Sequence, residues 1–150
     1  MEYRPGAIGA LTDEYEKALN EFIVVLKTIP NDLFLLTDDS KLENFKSIRN
    51  ITLHIVRAGY SYSNYIRKRF GDEISLNEFK INSIDEAVSE LNKMFQYNVN
   101  TFENKWLLSD DEMMNTIIKT SWTTYDLEAL IEHSIVHILR HRLQIQKLIK

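Results

Sequence analysis

The chain has 150 residues, 44% of them apolar, no cysteine, and a formal net charge of −4. That length suits one domain, residues 1–150, with one sizeable core, and the negative charge argues against nucleic acid or a membrane surface as partner, since both are anionic. Without cysteine there is no disulfide, no thiolate metal ligand and no cysteine nucleophile, which suits a reducing cytoplasm. The N-terminal stretch meets acidic residues early and does not read as a signal peptide. No apolar run approaches the roughly 20 residues that span a bilayer. A soluble cytoplasmic protein is expected.

Four glycines and two prolines are too few turns for an all-β fold. Four long segments instead carry helical periodicity. The first runs from about Ala7 to Ile29, with Leu11, Tyr15, Ala18, Leu19, Phe22, Leu26 and Ile29 recurring at three and four, and Pro30 ends it. The second runs from the low forties to Arg69; Ser40 to Glu43 could cap it, with regular helix starting near Ser47, and Gly71 ends it as a left-handed residue. The third starts at Ser83, where "SIDE" reads as a capping box, and continues to about Leu107. "SDDE" at Ser109 opens a short helical turn. The fourth runs from about Thr124 to Ile149, with Asp126 and Glu128 in its first turn and Lys147 and Lys150 at its end, as the helix dipole prefers. Helices of roughly 33–42 Å pack best side by side. The expected fold is all-α, an antiparallel four-helix bundle, with 30–41 and 71–82 as connections and 108–123 over one end.

Three of the four histidines, His133, His137 and His141, lie at four-residue spacing in the last helix. With His137 as zero on a helical wheel, Leu127, Leu130, Ile138, Ile145 and Leu148 define an apolar wedge at roughly 20–100°. His141 lies inside that wedge, His137 at its edge and His133 on the flank. His133 and His141 are about 12 Å apart along the axis, too far to share one ion. Imidazoles four residues apart can meet on a metal at about 2.0–2.1 Å each. His137 and His141 are therefore the better chelate. The fourth histidine, His54, sits at the edge of the apolar stripe of the second helix, with Ile51, Ala58, Tyr62 and Tyr65, and small Ala58 leaves room beside it. The bland alternative is that each is a satisfied boundary histidine, the usual role of such a residue at the edge of a core.

Two elements resemble the DinB/YfiT-like family of metalloenzymes. One is Ser47, Ile48, His54 and Ile55; the other is "HILRHRLQI", with His137, His141, Arg142, Gln144 and Ile145. The resemblance covers most of the chain in helix order. It implies a four-helix bundle in which His54, His137 and His141 hold a divalent ion. Leu143 stands where that family usually has a small residue, on a face that the wheel turns outward. The resemblance further implies chemistry of the thiol-dependent S-transferase or hydrolase kind on a small-molecule substrate.

Three neutral imidazoles leave coordination positions open, as in catalytic rather than structural sites. All-nitrogen ligation admits zinc or nickel first, and iron or manganese. A low-molecular-weight thiol would bind as thiolate. Gln144, on the His137 side of the wheel, and Ser47 and Ser134 are candidate pocket residues; Tyr62 could offer a phenol, and Trp122 could roof the pocket. No carboxylate stands out as general base, which leans towards metal-thiolate chemistry. The rival is a non-catalytic bundle that binds a partner or small molecule, its histidines structural or vestigial. A homodimer is expected, since a short bundle tends to leave an apolar stripe for a second copy.

Overall fold

The computed structural model describes residues 2–150. It is predominantly helical. Four long helices, α1 (Gly6–Lys27), α3 (Ile48–Phe70), α4 (Ile84–Thr101) and α6 (Leu127–Leu148), are joined by two short ones, α2 (Asn31–Leu35) and α5 (Asp110–Asn115). A 3₁₀ turn covers Glu43–Phe45, and strands β1 (Ile117–Lys119) and β2 (Thr124–Asp126) pair antiparallel as a hairpin before α6. Among the described residues no helix is long and apolar enough to cross a membrane.

Local chemistry explains most of the boundaries. Ser47 is the N-cap of α3, accepting from the Asn50 amide, and Gly71 ends it at φ 76°. The amides of Gly71 and Asp72 close back on the carbonyls of Lys68 and Arg67, so the orphan carbonyls at the helix end are satisfied. Residues 40–43 do not start α3. Ser83 caps α4 by accepting from the Glu86 amide, but the returning Glu86 carboxylate takes the amide of Asn82, one residue earlier than a capping box requires. The complete box lies at Ser109 and Glu112, on α5. Helix α4 stops at Thr101, short of the expected Leu107, because the chain turns at Asn104 with φ 66°, a conformation that asparagine tolerates better than most residues. Thr124 and Asp126 belong to β2, and Asp126 is the N-cap of α6, holding the Ala129 amide at 2.7 Å, rather than a first-turn residue.

The helices form a ring in which α1 neighbours α4 and α6, and α3 neighbours the same two. Their directions are not a simple alternation. Ser63 meets Asn98 and Arg67 meets Thr101, so α3 and α4 run parallel. Glu21 meets Arg142 near the C-terminal ends of α1 and α6, and Ile8 packs in one cluster with Leu127 and Leu130 near their starts, so that pair is parallel too. Helices α3 and α6 are antiparallel, with His54 against His137 and Tyr62 against His133. The expected antiparallel arrangement therefore holds for some neighbours only. The reason is the connection 71–83, which is extended and returns along α3: Asn64 donates to the Ser75 carbonyl, Tyr60 stacks on Phe79, and Arg49 reaches Asn82. A dozen extended residues reach roughly 40 Å, the length of the helix they retrace.

The core has two parts. One lies around Phe22, Leu26, Phe34, Ile51, Ile55, Leu91, Met94 and Ile145; the other, at the α6 N-terminal end, holds Ile8, Ile66, Phe102, Met113, Ile118 and Leu127. The chain after α4, with α5 and the hairpin, closes that second end. Gly6 opens α1 with φ 73°, and a Cβ there would meet the Trp106 carbonyl oxygen. Gly6→Ala is expected to lower stability by about 1–3 kcal/mol through strain alone, read as a lower urea midpoint at unchanged slope.

Candidate metal centre

The site is built from two antiparallel rods. Helix α3 presents His54 and helix α6 presents His137 and His141. The three donor nitrogens lie within 4.8 Å of one another. His137 Nε2 stands 3.2 Å from His54 Nε2 and 3.2 Å from His141 Nε2. Two imidazoles bound tetrahedrally at about 2.0–2.1 Å hold their nitrogens about 3.3–3.4 Å apart, so these separations fit one small cation with little adjustment.

Tautomers sharpen the point. His141 Nδ1 lies 2.7 Å from Gln144 Oε1. An amide oxygen only accepts, so Nδ1 carries the proton and Nε2 offers a lone pair. Neutral rings then cannot give each of the two Nε2 contacts its own proton. His137 would have to donate to His141, leaving His54 to share the same N–H. A cation at the centre accepts all three lone pairs at once. Ligand histidines are usually held in this way, by an oxygen on the other ring nitrogen. Gln144 thus serves His141, not the His137 side expected from the wheel.

His141 is buried, and His54 and His137 are half-buried. Phe45 stacks on His141 and meets His54 edge-on, while Tyr62 meets His137 edge-on, so aromatic rings flank the triad on two sides. Burial, reinforced by mutual repulsion and by the Arg140 guanidinium, pushes His137 down to about 3. Burial lowers His54 as well, helped by His141, Arg140 and Arg57. Burial also lowers His141, partly offset by Gln144. All three imidazoles are neutral at pH 7, the state in which they could bind a metal. Because these folded-state values lie below the ordinary 6.5, the unfolded chain takes up more protons on acidification. Chelator-treated protein is expected to hold its full stability above about pH 6.5 and to lose it progressively towards about pH 3, as followed by urea midpoints across that range; a flat profile would contradict the neutral cluster.

The other sequence candidates fall elsewhere. His133 is a flank residue, held among Tyr62, Tyr125 and Trp122, with its ring 6.3 Å from that of His137. Tyr62 is buried, and burial pushes its phenol up to about 12, so it stays protonated. Trp122 roofs His133 and Tyr62 rather than the triad, and its indole N–H donates to Tyr125. Ser47 is occupied in capping and Ser134 donates to the Leu130 carbonyl. Leu148, assigned to the wedge, is 39% exposed at the helix end.

Sequence reasoning missed Phe45, which comes from the turn before α3 where no periodicity operates. It also missed Arg57 and Arg140, each three residues beyond a ligand, a spacing that puts them on the ligand's side of the helix. Both are exposed, and among the described residues neither has an acidic partner. Among the described residues the charged side chains that act on the three histidines, apart from one another and His133, are the guanidiniums of Arg57 and Arg140. The broadest grooves lie away from it; one of about 360 Å³ between α3 and the 71–83 segment reaches it only through Arg57. Neither the protein-family models nor the curated proteins against which the chain was compared contain a match to it.

Proposed function

We propose that the chain is a divalent-metal-dependent enzyme of the DinB/YfiT-like kind, an all-α four-helix bundle whose ion is held by His54, His137 and His141. The observation that carries this reading is the convergence of three Nε2 atoms with His141 locked as an acceptor by Gln144. Three ligands, with no further His, Asp or Glu donor grouped with them among the described residues, leave a position for an exogenous group. When bound, a zinc or nickel ion supplies Lewis acidity and lowers the pKa of a coordinated water or thiol towards neutrality.

The chain's own groups do the rest. Gln144 fixes the ring of His141. Phe45 and Tyr62 keep water from two sides of the triad. Arg57 and Arg140 add positive potential beside ligands that are themselves neutral, which favours an anionic small molecule, such as a low-molecular-weight thiol as its thiolate. Among the described residues no carboxylate is grouped with the three histidines to abstract a proton, which favours S-transfer over hydrolysis. A cytoplasmic setting, rich in such thiols, fits the same reading.

The rival, a non-catalytic bundle with a hydrogen-bonded histidine cluster, draws on the same 3.2 Å separations, which are also hydrogen-bond distances. Elemental analysis of the purified chain separates the two. One divalent ion per chain, with turnover of an electrophile in the presence of a small thiol, supports the enzyme. Absence of ion even after incubation with zinc or nickel refutes it and leaves the hydrogen-bonded cluster, while a stoichiometric ion without turnover on a thiol and ester panel keeps the metal site but makes the bundle non-catalytic.

A further inference from the structure

The outer face of α6 carries a pattern that the metal reading does not use. Val136, Leu139 and Leu143 are 57%, 37% and 53% exposed. They recur at three and four along the helix, so they form one stripe on the side opposite the core. Glu132 lies on the same face before the stripe, and Lys147 and Lys150 after it, all exposed. Single exposed leucines need no explanation; an aligned set bounded by acid at one end and base at the other does.

The arrangement is symmetric about its own centre. The midpoint of Val136 and Leu143 falls between residues 139 and 140. Glu132 and Lys147 stand the same distance on either side of it, about 11 Å at 1.5 Å per residue. Turning a second copy of α6 end for end about that midpoint brings Val136 onto Leu143 of the other copy, Leu139 beside Arg140, and Glu132 opposite Lys147, twice over. Parallel pairing would set acid on acid and base on base. Such self-complementarity is what a two-fold interface requires. Arg140 is exposed and lies on the His137 side of the helix, where its long aliphatic stem can cover Leu139 while the charged head stays in water.

We infer that the chain associates with a second copy of itself through the outer face of α6, the two helices antiparallel, with Val136, Leu139 and Leu143 at the centre and Glu132 paired with Lys147 of the other copy. The inference stands independently of the metal site, which lies on another side of the same helix. The stripe is narrow beside the roughly 800 Å² per partner of a standard interface, so the dimer is expected to dissociate on dilution.

Sedimentation equilibrium over a range of concentrations tests it. The wild type should show a monomer–dimer equilibrium. Leu143→Glu, at an exposed position that the monomer does not need, should weaken it by about a hundredfold, since two buried leucines are lost per dimer at roughly tenfold or more each, with unchanged helical circular dichroism. Glu132→Lys should weaken the dimer, and adding Lys147→Glu and Lys150→Glu to it should restore it. A wild type that stays monomeric at millimolar concentration, or a Leu143→Glu chain that dimerises as well as wild type, overturns the interface. Failure of the charge reversal to restore association overturns the antiparallel register.

Discussion

His54→Ala is expected to leave the chain folded and to weaken its affinity for zinc on the order of a thousandfold, beyond the roughly 10–100-fold that follows loss of an outer hydrogen-bond partner. His54 is the informative ligand to remove. It is half-buried, so its loss leaves a small and partly solvated gap, whereas His141 is 3% exposed and its removal would mix packing with ligation. It is also the only donor from α3, so without it His137 and His141 can offer no more than a two-point chelate from one helix. Gln144→Leu serves as the comparator. It leaves all three ligands in place but frees the His141 ring from its 2.7 Å partner, and should show the smaller, outer-partner loss. Competition titration against a chromophoric chelator measures both. Equal affinity in His54→Ala and wild type would remove the metal reading altogether; equal losses in the two variants would mean that orientation rather than ligation had been measured.

Phe22→Ala should be the most destabilising single change in the core, by about 3–5 kcal/mol. Phe22 has no exposed surface and lies in the larger core with Leu19, Leu26, Ile51 and Leu91. It belongs to the buried face of α1, where Tyr15, Leu19, Phe22 and Leu26 repeat at three and four. The same cluster holds buried residues of α3, α4 and α6, whose packing limits how far the hole can close. A total stability of 5–15 kcal/mol is usual for such a domain, so this loss alone would leave a measurable unfolded fraction near physiological temperature. Urea unfolding followed by circular dichroism reads it directly. A loss below about 1.5 kcal/mol would mean that the site collapses, contrary to the packing seen.

Much of the site was legible because it lies on regular helices. The angular position of a side chain on a helix follows from its number, so His141 could be placed inside the apolar wedge, His54 and His137 at the edge of theirs, and His133 on a flank. Phe45 could not, since its placement depends on a 3₁₀ turn with no period of its own. The ends of α3 were readable from Ser47 and Gly71, each of which does one local job. The end of α4 was not, because the apolar pattern runs on through Phe102 and Trp106 while the backbone turns at Asn104. The hairpin escaped notice because three-residue strands are too short for alternation to be told from a helix approaching its start. Helix direction was the largest miss, since the expected antiparallel bundle contains two parallel pairs. A connection of the length of 71–83 serves equally as a loose loop between antiparallel neighbours or as a taut return between parallel ones, and only its contacts with Asn64, Tyr60 and Arg49 decide.

That taut return has a consequence for how the molecule breathes. It follows α3 from one end to the other, yet its main chain belongs to no sheet and is anchored at scattered points: Asn64 and Arg67 to its carbonyls, the Tyr97 hydroxyl to the Ser75 amide. Leu76, at its middle, points 88% into solvent. Around Leu76 the anchors are few and little surface is buried, which makes for a low opening free energy there, whereas Phe79 and Ile81 pin the strap's second half to the core. The first half of the strap can therefore lift and reseat without disturbing the two rods that carry the histidines.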